Sequence, residues 1–370
     1  MQKQSGKNQT FGLIFSQKIK MKSPINYPIA LALIILLAGC SLKSGSGSKQ
    51  AKEVDVRVGF SGLAMEFVKN TPPQRVFEST GAYESVFPVI IRVKNIGAFS
   101  LDKDNKAVLS LGVEKDYTKS LQLLENERVK KPEGEGSSGN IAVFNLEGKS
   151  RINTKGGEEA ISYNVVAGKL DPQSEAHSST VTATLCYPYE TVLSAAACID
   201  GDIGNVLPNK KVCQVQDLVF GSGQGSPVAV TKVEVQMLPT QQSQQDPKSA
   251  NVKPQFLILI ENKGGGTVIE EDAVNDFCKE SKIGYKDLNI VYVSASLGNE
   301  ELDCTPKSKD EKDASYAAIK LKDKKELARC ALKEGVQAQS GAYLSPLSIE
   351  LSYGYSQSIS ANYFIEKVAR

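Results

Sequence analysis

Pro88-Val-Ile-Ile-Arg-Val-Lys-Asn-Ile-Gly97 and Gln255-Phe-Leu-Ile-Leu-Ile-Glu-Asn-Lys-Gly264 carry the same pattern, an apolar run that ends in an Asn-x-Gly turn signal. A second pair of stretches aligns without gaps: Tyr187-Pro-Tyr-Glu-Thr-Val-Leu-Ser-Ala-Ala-Ala-Cys-Ile199 and Tyr353-Gly-Tyr-Ser-Gln-Ser-Ile-Ser-Ala-Asn-Tyr-Phe-Ile365. Both pairs share nearly one offset, from Gly97 to Gly264 and from Tyr187 to Tyr353. Two independent matches on one offset imply a tandem repeat whose middle has diverged. The first unit is expected over residues 54–200 and the second over 228–370, joined by a linker at 201–227 that contains Gly221-Ser-Gly-Gln-Gly-Ser-Pro227.

Each unit reads as β, because short runs rich in Val, Ile and Tyr alternate apolar and polar residues between Gly, Asn and Pro. Val54, Val56 and Val58 share one face of such a run. Val181, Ala183, Leu185 and Tyr187 point one way, with Thr182, Thr184 and Cys186 opposite; Ile349, Leu351 and Tyr353 point inward against Glu350 and Ser352. About seven strands per unit suit an antiparallel sandwich. The fold class is therefore all-β: two tandem sandwiches, each closing with a hairpin turned at Tyr187-Pro188-Tyr189 or Tyr353-Gly354-Tyr355. Insertions are expected near Glu125 to Asn140 and Glu270 to Asp287, the second holding a short helix at Glu271 to Lys282.

The N-terminus predicts an export signal. Lys18, Lys20 and Lys22 precede an apolar run from Ile29 to Ala38, which at about ten residues is too short to span a bilayer. Leu37-Ala38-Gly39-Cys40 closes the run and resembles the lipobox of prokaryotic lipoproteins. That resemblance implies cleavage before Cys40, so that residues 1–39 are the signal peptide, and a diacylglyceryl thioether on the Cys40 sulfur. Two acyl chains hold a protein stably on a membrane where one holds it marginally. Residues 40–53 then read as a Ser/Gly/Lys tether. A leader counted from Met21 has a more usual length than one counted from Met1, so Met21 is the expected start.

The chain has seven cysteines, and setting Cys40 aside leaves an even number in a protein expected to leave the cytoplasm. Cys198 and Cys213 flank a turn-rich stretch, and Cys304 and Cys330 end two candidate strands. Cys186 and Cys278 remain as a third pair that crosses between the units. Six cysteines allow 15 connectivities, and spacing alone does not choose among them.

The strand of the form apolar-x-apolar followed by Asn-x-Gly, present at Pro88 to Gly97 and Gln255 to Gly264, is similar to immunoglobulin-like domains of prokaryotic surface proteins, in particular the adhesion-related CARDB type. The resemblance covers a small part of each unit. It implies an immunoglobulin-like sandwich in a cell-surface setting, with no chemistry attached.

Composition narrows function further. The formal charge of +2 is spread over interleaved acids and bases, so nothing calls for a nucleic-acid partner. His177 is the only histidine, in a Ser-rich segment that reads as a surface loop, so neither a nucleophile–histidine pair nor a zinc site has its ligands. Gly221 to Ser226 lacks the Gly-Lys-Ser/Thr of a phosphate loop. Asp102-Lys-Asp-Asn105 lacks the glycine and the bidentate Glu of a calcium loop and reads as a polar turn, and Glu270-Glu271-Asp272 as an exposed acidic turn. The expectation is a protein without cofactor or catalytic activity, held to the membrane through Cys40 and contacting another envelope protein or a surface polymer. The competing expectation is a solute or glycan binder whose site is built from Gly264-Gly265-Gly266 and Tyr353 to Tyr355.

Overall fold

A computed structural model of the chain describes residues 56–132, 139–208, 210–240, 251–280, 284–308, 314–337 and 340–368. Cys40, the tether and the leader lie outside them, as does Val54. The body from residue 56 onward is all-β, and its first half holds β1 (Leu63–Phe67), β2 (Arg75–Phe77), β3 (Val86–Asn95), β4 (Ala107–Val113), β5 (Thr118–Leu124), β6 (Ile141–Phe144), β7 (Glu158–Ala167) and β8 (Ala176–Asp200). The second half holds β9 (Leu218–Val219), β10 (Val228–Pro239), β11 (Asn251–Asn262), β12 (Thr267–Ile269), β13 (Ile290–Leu297), β14 (Glu300–Glu301), β15 (Asp303–Thr305), β16 (Ala317–Lys320), β17 (Lys325–Ala331), β18 (Val336–Gln337) and β19 (Ala342–Glu366). Between β12 and β13 runs a helix, α1 (Val274–Glu280).

The repeat is visible in the hydrogen-bond ladders. In the first half β1-β3-β7-β5 form a four-stranded sheet, and β10-β11-β17-β15 follow the same order in the second. Register agrees as well: Leu63 faces Asn95 as Val228 faces Asn262, and Lys94 faces Glu158 as Glu261 faces Lys325. The last pair sets opposite charges across the ladder in both halves, with the signs exchanged.

The layers opposite these two sheets are one sheet. β8 and β19 pair antiparallel along all 25 residues of each, from Asp200 against Ala342 to Ala176 against Glu366, a ribbon of roughly 80 Å at the usual rise per residue. β4 and β6 extend this nine-stranded sheet on one side, and β13 with its neighbours on the other. Apolar residues from both halves, including Ile91, Leu185, Tyr187, Ile258, Ile349 and Tyr353, belong to one continuous core. The expected hairpins at Tyr187 and Tyr353 are therefore corrected: the chain runs straight through both, and Pro188 faces Gly354 at the centre of the ribbon. Val56 and Val58 likewise precede the first strand, and Val58 is exposed.

The Asn-x-Gly motifs lock the layers together at that centre. Asn95 Nδ2 donates to the Phe99 carbonyl (2.7 Å) and its Oδ1 accepts from Gly97 N (3.1 Å). Asn262 repeats this with the Gly266 carbonyl (3.0 Å) and Gly264 N (3.1 Å). From the shared sheet, the Tyr187 hydroxyl accepts from Leu63 N (3.2 Å) and the Tyr353 hydroxyl from Val228 N (3.3 Å). Tyr189 OH accepts from Phe99 N (3.3 Å) and Tyr355 OH from Gly266 N (2.7 Å). Burial holds all four phenols in the neutral form by pushing their pKa upward. Gly223 to Pro227, expected as linker, is packed into the same seam, with Gln224 and Ser226 buried.

Candidate functional site

The shared sheet buries its odd-numbered residues along β8 and β19 and turns the even-numbered ones outward. One part of that outer face is covered. The insertion after β12 enters a short 3-10 turn at Glu271–Ala273 and continues as α1, which packs across β8 and β4 of the other half. Seven residues are too few for a helix to stand alone in water, so packing and covalent attachment must hold it. Both are present. Val274 and Cys278 are buried with Val108, Ile141, Cys186 and Ile269 in a second, small apolar cluster, and Cys186 and Cys278 stand at disulfide distance with Cα atoms 6.0 Å apart. Cys186 does face away from the main core, as its strand position implies, yet it is fully buried beneath the helix.

The other cysteines among the described residues also stand in pairs. Cys198 and Cys213 (Cα–Cα 5.9 Å) close a loop that follows β8, and Cys304 and Cys330 (4.0 Å) face each other across β15 and β17. Inside the first of these loops Asp202 accepts from Val206 N (2.8 Å) and Leu207 N (3.0 Å), which holds its carboxyl below the ordinary value.

Where α1 meets the loops of the first half, a cleft of about 1280 Å³ opens. Lys103, Lys106, Lys130 and Lys279 reach into it together with Glu127 and Glu271, so it presents both charges on a mostly polar wall. At its edge Glu271 is held above its ordinary pKa first by burial, then by Asp272 and Glu190; Glu190 is raised by burial and by Glu350. Glu270 bonds the Tyr292 hydroxyl. Part of the acidic turn is thus tucked against the sheet, where an exposed turn was expected. Asp102 Oδ1 accepts from Asp104 N (2.9 Å) and Asn105 N (3.1 Å), the polar turn expected there. Among the described residues no three His, Cys, Asp or Glu side chains gather as a metal site, and no helix is long and apolar enough to cross a membrane.

His177 is not in a loop but on β8, half-buried, with its Nε2 2.9 Å from Glu114 Oε2 and its ring stacked on Tyr117 at 3.6 Å between centroids. The Glu114 carboxyl, which also accepts from Thr180 N (3.1 Å), lies below its ordinary pKa chiefly through the His177 bond. This arrangement pins the start of β8 to the end of β4. The tyrosines of the Gly264 to Gly266 region are no ligand loop either. Tyr353 and Tyr355 are buried and their hydroxyls are engaged by backbone amides, which removes them as an open binding site.

No family model and no curated protein matches the chain. Among solved structures, similarity extends to a biofilm-associated protein BSP domain, at 9% identity and a TM-score of 0.15 over 86% of this chain and 68% of that one. The CupB6 tip adhesin of Pseudomonas aeruginosa is similar at 8% identity and a TM-score of 0.15 over 85% of this chain and 98% of the other. At these scores neither bears on the function of this chain.

Proposed function

We propose that this chain is a non-enzymatic extracytoplasmic lipoprotein, tethered to the cell membrane through lipid on Cys40, whose β body serves surface structure or contact with an envelope protein or surface polymer. The observation that supports this most is the set of three cysteine pairs at disulfide distance in a chain that opens with a lipobox-like leader. Disulfides persist where the surroundings are oxidising and are rare in the cytosol, so leader and cysteines point to one compartment from independent directions. A fused pair of sandwiches stapled in this way makes a stiff body beyond the Ser/Gly/Lys stretch that follows Cys40.

The test is a Cys40→Ser variant followed through cell fractionation and lipid labelling. The parent is expected in the membrane fraction with label and the variant in neither state; a variant that stayed on the membrane would remove the anchor. Thiol labelling of intact cells tests the compartment separately. The six paired cysteines should react only after reduction, and free thiols on the native protein would refute the exported reading.

A further inference from the structure

We infer that the outer face of the shared sheet, where it is formed by the first half, is a docking platform for a neutral polysaccharide. Three cross-strand pairs pave it: Thr180 Oγ1 with Asn362 Oδ1, Thr182 Oγ1 with Ser360 Oγ, and Thr184 Oγ1 with Ser358 Oγ, each at 2.9 Å. β4 continues the rows, with Ser110 beside Thr184 and Gly112 beside Thr182. None of these outward positions is charged, in a chain of which 23% of residues are charged. Alternation demands polar residues here but not uncharged ones, since Lys and Glu suit a solvated strand face equally well.

The second half supplies the contrast. Through the repeat, Thr184 corresponds to Glu350, so the symmetry-related part of the same face carries a carboxylate where this one carries a hydroxyl. At the far end of the hydroxyl rows two rings stand in solvent: Phe364, beside Ser178 on β8, and Phe77 on β2, one strand over and two residues along. Phe364 is 48% exposed and Phe77 54%. Val76 between the two outward residues of β2 is buried, which fixes Phe77 on the same side of the sheet as Phe364.

Charge and area select the occupant. Hydroxyls both donate and accept, which matches a chain of sugar hydroxyls, and exposed phenyl faces suit the apolar C–H faces of pyranose rings. An anionic polymer would find one cation at the ring end, Arg75 beside Phe364, already paired with Glu366 at 3.3 Å, and no counter-charge along the rows. A protein partner would meet a patch on the order of 400 Å² from strand spacing and rise, where a stable interface buries about 800 Å² on each side. The inference rests on the surface reading only for where the polymer is met; the binding belongs to the body itself.

The experiment uses the full chain carrying Cys40→Ser, purified with its disulfides intact. Its retention is measured on insoluble cellulose and chitin and, by affinity electrophoresis, in soluble glucans and mannans, with hyaluronate and polygalacturonate as anionic controls. Retention by at least one neutral polymer is expected, at least about tenfold weaker in Phe77→Ala/Phe364→Ala. Thr184→Glu, which copies the residue at the equivalent position, should weaken it with the melting temperature unchanged. Both rings are half exposed, so circular dichroism should match the parent. Retention by no neutral polymer, retention by the anionic polymers alone, or retention indifferent to all three substitutions would overturn the inference. Sedimentation showing that these substitutions dissolve a dimer would assign the face to a second copy instead and overturn it equally. None of these outcomes depends on whether Cys40 is lipidated, so failure here leaves the anchor reading intact, and the reverse.

Discussion

At Asn95 and Asn262 the two halves make the same pair of turn bonds, to the residues two and four places on; at Thr184 and Glu350, equivalent places on the shared sheet, one half offers a hydroxyl and the other a carboxylate. Inward positions repeat because both halves must solve one packing problem, a turn after the long strand that brings a backbone amide under a tyrosine from the opposite layer. Outward positions owe the fold only polarity. The deepest break in the symmetry is the insertion, which leaves the second half and covers the face of the first. Similarity between the halves therefore marks what builds the body, and difference marks where surface properties were free to diverge.

The locks are alike but not equally tight, and the largest expected effect tests this. A Cβ on Gly97 would run into the Tyr189 hydroxyl and the carbonyls of Gly225 and Ser61, two of the three being backbone; on Gly264 it would meet Tyr355 and the side chain of Pro227. Backbone cannot step aside as a side chain can. Gly97→Ala is expected to cost about 4 kcal/mol or more, and Gly264→Ala about 1–3 kcal/mol, in urea unfolding. Equal costs would mean that the two seams yield alike and that the match in bonding is the whole story. Asn95 makes one bond more than Asn262, to the Leu146 carbonyl at 3.2 Å, so Asn95→Ala should likewise exceed Asn262→Ala.

The insertion is tied by a bridge between residues 92 apart, and a loop of that length predicts about 4–5 kcal/mol of stabilisation. Cys186→Ala/Cys278→Ala should lose that amount. It should also raise hydrogen exchange at Val274 to Glu280 well above that of the neighbouring strands, because nothing comparable staples a short helix otherwise. Removing Cys198 and Cys213 opens a loop of only 15 residues and should cost less, about 3 kcal/mol, with exchange rising locally in that loop. If the α1 amides stayed protected without the bridge, the small apolar cluster beneath the helix would be sufficient to hold it.

How much of this could be read from the residues follows from the range of each interaction. Asn-x-Gly after an apolar strand is a local signal, and the same motif recurring at one offset exposed the repeat. Alternation placed Val181, Leu185, Ile349 and Leu351 inward correctly, and turn-rich spacing pointed to the Cys198 and Cys213 pair. The fused sheet was out of reach because pairing between β8 and β19 joins residues far apart in sequence, and Pro188 and Gly354 imitate turns. Pro188 is tolerated because β4 leaves β8 at Cys186, so the proline has a strand on one side only in the middle of a long ribbon. His177 looked like loop for a related reason: Ser and Thr are read as loop formers, whereas here they form the outward rows of a strand. Phe77 and Phe364 gave no signal at all, since an aromatic in a strand is ordinarily taken as core, and only register shows them outside.

The smallest expected effect concerns the acidic turn, where the halves meet through charge. Glu190 and Glu271 lie beside each other at the foot of the insertion, and burial raises both above the ordinary carboxylate value of 4.5. A carboxyl whose folded pKa is raised binds its proton more tightly folded than unfolded. Its contribution to stability is complete below 4.5 and is lost as pH rises through the higher folded value. Glu271→Gln keeps the shape and removes the titration. Parent and variant should then melt together below the ordinary carboxylate value, and the variant should melt at a higher temperature as pH approaches neutrality. Glu190→Gln should behave in the same direction, and the double variant should gain less than the sum, since the Glu190 charge is part of what raises Glu271. A variant that instead melted lower at neutral pH would show that the Glu271 carboxylate holds the insertion down, making the contact between halves an attraction of charge to the cleft lysines and not a tolerated repulsion.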